Sequence, residues 1–202
     1  MKYTEVYGLK KPESADFYNV EDFNENTEKI EQTLKSHEDS IVPLTSAIRV
    51  TKPNGVQALT GAQKFLLLTD ATADVIAGNL QCFTTTMNSV LTEGDTQRVT
   101  GVKIGKGIHR IRVDFSGAFD VSGKADLYIR VKRLRGREFS TVFYSVNTVD
   151  SNLVSIPMST LVEVQENDFI FLTGDMANSS DSVTVNTLYN GSATSLCVQA
   201  IG

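Results

Sequence analysis

In Ile108-His109-Arg110-Ile111-Arg112-Val113-Asp114-Phe115, charged residues fall on every second position, so neighbouring side chains cannot share one buried face. Arg110, Arg112 and Asp114 lie on one side of an extended chain. His109, Ile111, Val113 and Phe115 lie on the other, as in a half-buried antiparallel strand. The same period of two runs through Leu127, Ile129 and Val131 and through Phe169 and Phe171. Ten runs of β-formers follow one another: KFLLLT, LQCFTTTMNSVL, QRVTGVKIG, GIHRIRVDFSGAF, ADLYIRVKRLR, FSTVFYSVN, LVSIPMSTLVEV, DFIFLTG, DSVTVNTLYN and TSLCVQAI. Breaks with Gly, Asn and Asp separate them about every ten residues. No helical period interrupts the series, so parallel crossovers are unavailable. The pattern predicts a mainly β fold, an antiparallel β-sandwich in jelly-roll form.

One long helical pattern stands before these strands. In YNVEDFNENTEKIEQTLKSHEDSI, steps of three and four pick out Phe23, Thr27, Ile30, Leu34, His37 and Ile41 among charged and amide residues. That seam is narrow, of the coiled-coil kind. Asn19 suits the N-cap, Glu21 and Asp22 favour the first turn, and Pro43 is the expected stop, giving a helix from about Val20 to about Val42. A lone helix of this length is marginal and its seam needs partners. Two arrangements satisfy it: docking on the following domain, or a short parallel trimer of identical chains. Glu28 and Glu31 are spaced for weak ion pairs with Lys35. His37 is polar within the seam, where it can fix register or titrate, but its place near a fraying helix end argues for neither.

The domain reading is residues 1–42 as an attachment segment and helix, 43–61 as a connector broken by Pro43, Pro53, Asn54, Gly55 and Gly61, and 62–202 as the β head. Before the helix, Tyr3, Val6, Tyr7, Leu9, Phe17 and Tyr18 supply more apolar surface than a disordered tail carries. They either anchor on a partner or fold back on the helix. Phe17 sits close enough to Asn19 to pack on the first turn as a hydrophobic staple.

VYGLKKPESADFYNVEDFNENTEKIEQTL resembles the N-terminal segment of tail proteins of bacteriophages and prophages of Gram-positive bacteria. The matching residues are Gly8, Leu9, Lys11, Pro12, Asp16, Phe17, Tyr18, Asn19, Val20, Asp22, Phe23 and Asn24. The resemblance covers about the first forty residues and implies a virion tail component, held to other tail proteins by this segment while the rest varies. A second resemblance, of pattern rather than identity, is carried by Gly107-Ile108-His109 to Phe119, by Phe169-Ile170-Phe171-Leu172 and by Ser195-Leu196-Cys197-Val198. These stretches are similar to the trimeric jelly rolls of the complement and tumour-necrosis-factor type, though several hallmark aromatics are missing. It implies three heads packed about an axis through apolar residues of one sheet, an axis the helices would share. That favours the trimer over the docked helix.

Composition narrows the classes. No apolar run is long enough for a membrane span. MKYTEVYGLKKPE lacks the apolar centre of a signal peptide, so synthesis in the bacterial cytoplasm is expected, and release by lysis would leave the same sequence. Acidic residues outnumber basic ones ten to five up to Thr45 and balance at fourteen each beyond it, for a net charge of −5, which argues against nucleic acid. Cys82 and Cys197 sit in separate apolar runs and read as buried thiols; two cysteines cannot build a structural zinc site.

Catalytic signatures are poor, and no enzyme, cofactor or metal is expected. His109, on the face of Ile111 and Val113, reads as a core or interface histidine. Ser116-Gly117 and Ser122-Gly123 read as turns without the strand–turn–helix setting of a nucleophile elbow. Gly101-x-x-x-Gly105-x-Gly107 lacks the following helix that would hold phosphate and reads as a hairpin. Glu166 with Asp168, and Asp175 with Asp181, are the carboxylate pairs to test for a glycosidase cleft or calcium. The strongest charge cluster is Arg130, Lys132, Arg133, Arg135 and Arg137. Arg133, Arg135 and Arg137 form a candidate patch for anionic wall polysaccharide; the alternative is a solvated hairpin that discourages edge pairing. The reading is therefore a homotrimeric, fibre-like or receptor-binding tail protein that engages a host-surface glycan. Its competitors are an architectural tail subunit, a glycan-degrading tail enzyme and, last, a secreted cellular adhesin.

Overall fold

The computed structural model describes residues 2–13, 16–17, 19–52, 54–60, 64–68, 71–88, 96–177, 183–190 and 193–201. The chain divides into two compact units, Met1–Val42 and Pro43–Gly202.

In the first unit, β1 (Lys2–Tyr3) pairs antiparallel with β2 (Lys10–Lys11), and the helix α1 runs Val20–Leu44. Asn19 caps it as expected: its Oδ1 accepts from the amide of Glu21 at 3.0 Å. The helix continues two residues past the expected end, to Leu44, with Pro43 in its last turn. The hairpin folds back on the helix through Asn26. Its side chain accepts from the Lys10 amide at 2.6 Å and donates to the Lys10 carbonyl at 2.8 Å, copying a strand partner. Lys10 Nζ reaches Asp22 at 2.5 Å and Glu25 at 2.7 Å, and Lys29 donates to the Gly8 carbonyl. Tyr3, Val6 and Tyr7 remain exposed, so the segment both folds back and presents apolar side chains. Phe17 is 96% exposed and forms no staple. Lys35 pairs with Glu38 and Asp39 rather than with Glu28 and Glu31, and these carboxylates raise its pKa.

In the second unit, two 26-residue strands form the frame: β9 (Arg110–Arg135) and β10 (Glu138–Glu163), antiparallel along their length. Around them lie β3 (Ala47–Thr51), β4 (Asn54–Thr60), β5 (Lys64–Leu66), β6 (Thr72–Ala77), β7 (Leu80–Asn88), β8 (Thr96–Ile104), β11 (Phe169–Ala177), β12 (Thr184–Asn190) and β13 (Ser195–Ala200). The ladder runs β6-β3-β13-β9-β11-β8-β7. The first half of β9 pairs with β12 and β13, and its second half with β11, so the hairpin bends from one layer into the other. The bend coincides with a register shift between Asp150 and Asn152, where Asn152 has φ 126°.

Four expectations change here. The four runs from GIHRIRVDFSGAF to LVSIPMSTLVEV are two bent strands, and Ser116-Gly117 and Ser122-Gly123 lie inside β9, not in turns. At Gly117 an added Cβ would stand 2.5 Å from the Phe115 ring and 2.6 Å from the Phe119 ring, so the glycine makes room for aromatics in the core. The stretch 43–61, expected as a connector, supplies β3, paired to β13 and β6, and β4, paired to β12. The glycine run after Gly101 does not close a hairpin, since β8 pairs with β7 and β11 while β9 begins among other partners.

Burial follows the expected period in β9: Ile111, Val113, Phe115, Leu127, Ile129 and Val131 are buried in the main core. In β11 it does not. Ile170 and Leu172 join the main core, while Phe169 and Phe171 are buried in a second cluster with Val99 and Leu134. A central strand covered on both faces loses its alternation.

Candidate association and ligand-binding surfaces

Within the helical unit the seam is a stripe of largely exposed side chains. Phe23, Ile30, Leu34 and Ile41 are 60, 45, 63 and 57% exposed, and Thr27 and His37 are exposed beside them. The hairpin adds to it: Tyr7 and Leu9 border an apolar groove with Ile30, Thr33, Leu34 and His37. No described helix is long and apolar enough to cross a membrane.

The five basic residues have different fates. Arg130 pairs with Asp175 at 2.6 Å and lies over the Tyr128 ring, and Lys132 donates to Thr141 at 2.6 Å. Arg135 grips Asp168 with two bonds, Nε to Oδ1 at 2.8 Å and Nη2 to Oδ2 at 2.7 Å. Asp168 is buried and also accepts from the Gln165 amide at 2.9 Å. Burial pushes its pKa up, but the Arg135 and Gln165 hydrogen bonds and the Arg135 and Arg133 charges outweigh that, so it lies below the ordinary value. Arg133 donates to the Glu163 carbonyl at 3.1 Å, and its buried Nε has no hydrogen-bond partner. Arg137 is exposed on the turn after Gly136. Of the expected patch, Arg133 and Arg135 meet in one groove of about 450 Å³, with His109, Arg110, Glu163 and Gln165, whereas Arg137 does not line it.

His109 is exposed at the start of β9 rather than a core histidine, because its carbonyl ties it to the Val164 amide before the strand alternation begins. Of the carboxylate pairs, Asp168 is held by Arg135 and Asp175 by Arg130, Glu166 is exposed, and Asp181 lies outside the described residues. Among the described residues no His, Cys, Asp and Glu group is placed to hold a metal. Cys82 and Cys197 are free and half-buried, and burial raises both thiol pKa values. Sequence reasoning placed Arg110 on the polar face of its strand but not in this groove, and it missed Lys106, which the 105–109 loop brings to the neighbouring groove beside Lys103.

The second cluster opens on an aromatic face. Phe169 and Phe171 stack at 5.5 Å, and Phe83 and Phe139 meet them edge-on at 5.6 and 6.3 Å. Phe83 and Phe139 remain partly exposed, with Tyr144 and Val146 further along β10.

This arrangement of antiparallel layers belongs to the jelly-roll class. The structure of Eiger TNF from S. frugiperda is similar over 78% of this chain and 94% of that one, with a TM-score of 0.53 at 6% identity, and so the β unit has the tumour-necrosis-factor-like jelly-roll fold. Murine APRIL (TM-score 0.42, 11% identity, 71% of this chain and 98% of that one) and the CBM22-1 xylan-binding domain of Paenibacillus barcinonensis Xyn10C (TM-score 0.32, 10% identity, 75% and 97%) are more distant. No protein-family model and no curated protein matches the chain.

Proposed function

We propose that this is a non-enzymatic tail protein of a bacteriophage or prophage of Gram-positive bacteria, a homotrimer whose N-terminal unit attaches to the tail and whose jelly-roll unit binds a host-surface polysaccharide. The observation that carries the association is the seam: four large apolar side chains on one helix stripe, all about half exposed or more in a single chain. Three identical helices bury such a stripe against itself, since every copy presents the same spacing. The tumour-necrosis-factor-like fold of the β unit supports the same symmetry, and the resemblance of residues 6–34 to tail segments supports the setting. Tyr3, Val6 and Tyr7 on the hairpin are the side chains offered to a tail partner. Three linked heads bind a repetitive surface by avidity, without strong individual sites.

Light scattering gives the test. The full chain is expected at three times its 22.1 kDa mass. Ile30→Asp with Leu34→Asp removes the seam while leaving the β core untouched. A trimer that falls to monomer places assembly in the helices, a trimer that persists places it in the jelly rolls, and a monomeric parent sinks the fibre reading. A β unit for comparison must start at Pro43, because a chain begun at Gly61 lacks β3 and β4.

A further inference from the structure

We propose that the turn Val164–Asp168 is a rigid ridge over which an anionic, hydroxyl-rich polymer lies, with its phosphodiester held on one side and its hydroxyls on the other. The proposal rests on the surface-binding reading above and names its site.

Two grooves flank this turn. One, of about 450 Å³, presents His109, Arg110 and Arg133; the other, of about 320 Å³, presents Asn79, Gln81, Lys103, Lys106 and Asn167. The turn joins them without slack. The Asp168 carboxylate holds the Gln165 amide and Arg135 from below. Ile104 donates to the Asp168 carbonyl at 2.9 Å, Asn167 to the Ile104 carbonyl at 2.8 Å, and Val164 to the His109 carbonyl at 2.9 Å. Asn79 pins the 105–109 loop by donating to the Lys106 carbonyl at 3.2 Å. A surface fixed this way loses little freedom when a ligand binds.

The chemistry of the two grooves selects the ligand class. With Arg135 and Asp168 cancelling one another, the cations lining the two grooves, Lys103, Lys106, Arg110 and Arg133, outnumber the lining carboxylates, Glu163 and Glu166, on a chain whose net charge is −5. Glu163 is largely exposed and 3.7 Å from Arg110, too loose to neutralise it. Arg133 brings a buried Nε that no protein group satisfies. The polar side chains of the other groove are amides, amines and the Glu166 carboxylate, all of which pair with hydroxyls. The apolar residues lining the two grooves, Ile104 and Val164, are buried, so neither groove offers the apolar centre of a protein interface. Cations beside amides, on a hydrophilic floor, fit alternating phosphates and hydroxyls.

The experiment is calorimetric titration of the full chain with a poly(glycerol phosphate) oligomer, with neutral dextran as the control polymer, at low and moderate salt. Lys106→Glu with Arg110→Glu changes one exposed charge on each side of the ridge. Lys52→Glu with Lys124→Glu makes the same change in net charge at residues that line neither groove. The first pair is expected to weaken binding about tenfold or more and to flatten its salt dependence, and the second pair to stay within about twofold. Thermal melts of both pairs separate lost binding from lost folding. Equal losses from the two pairs, or dextran bound as tightly as the phosphate polymer, overturn the ridge. If the parent chain binds intact host walls and the ridge variant binds them equally, the ridge fails and the surface-binding reading stands. If the parent binds neither walls nor polymer, both fail.

Discussion

The helical unit and the β unit bury their side chains in opposite ways. The jelly roll closes on itself: its two layers share one core, and β11 is covered on both faces. The helical unit leaves its largest apolar side chains in solvent and spends its hydrogen bonds on fastening a hairpin to one side of the helix. The β unit therefore carries its own core, whereas the helical unit has none large enough to hold a helix of this length by itself. This division falls at residue 42.

That contrast is open to test, beginning where the effect is largest. Phe119, fully buried beside Gly117, is expected to lose about 3–5 kcal/mol of β-unit stability on Phe119→Ala, read by denaturant unfolding. No seam substitution should approach that loss. Asp168→Asn is expected to cost about 2 kcal/mol, at the low end for a buried charge partner because Arg135 is partly exposed and rehydrates. Its pH signature is specific. The carboxyl of Asp168 has a lowered pKa in the fold, so its stabilisation is complete above the unfolded value near 4 and fades as pH falls through the folded value. The variant should lose that part of the acid sensitivity, measured as melting temperature against pH. In the helical unit, Asn26→Ala removes both side-chain bonds to Lys10 and should release residues 2–11, about 1 kcal/mol seen as faster amide exchange, with the β-unit melt unchanged. Smallest, Lys35→Ala breaks two exposed pairs and should leave the thermal unfolding of the helix, followed by circular dichroism, almost unchanged. A large effect from Lys35, or a small one from Phe119, would break the contrast.

Much of the fold was legible because burial writes a period into the sequence. Arg110 to Phe115 alternates, and the residues expected inside are inside, apart from His109, which precedes the pairing. The helix was legible from its cap and its steps of three and four. What escaped was geometry that leaves no period. A strand that bends between layers carries Gly and Asn at its corner, as a turn does, so β9 and β10 each read as two strands. Short strands bracketed by Pro43, Pro53 and Gly61, such as β3 and β4, read as a connector because their partners lie far along the chain. The basic cluster was legible as charge but not as function: Arg130 and Arg135 are tied to Asp175 and Asp168, whose proximity depends on the register of β11 against β9.

The Ser46 hydroxyl, which accepts from the Asn79 amide at 2.7 Å, has a mechanical meaning. Residue 46 is where the β unit is tethered to the helix-bearing part of the chain, and Asn79 is bonded in turn to the Lys106 carbonyl. A pull between the tether and a polymer held on the ridge would travel through Ser46, Asn79 and the 105–109 loop. It would bypass the far end of the sandwich, where β9 and β10 turn their corners. The ends of the long hairpin that carry Arg110 and Arg133 would share that load, whereas its bent corner lies outside the path, so sequence drift at the corner would leave the strength of the grip unchanged.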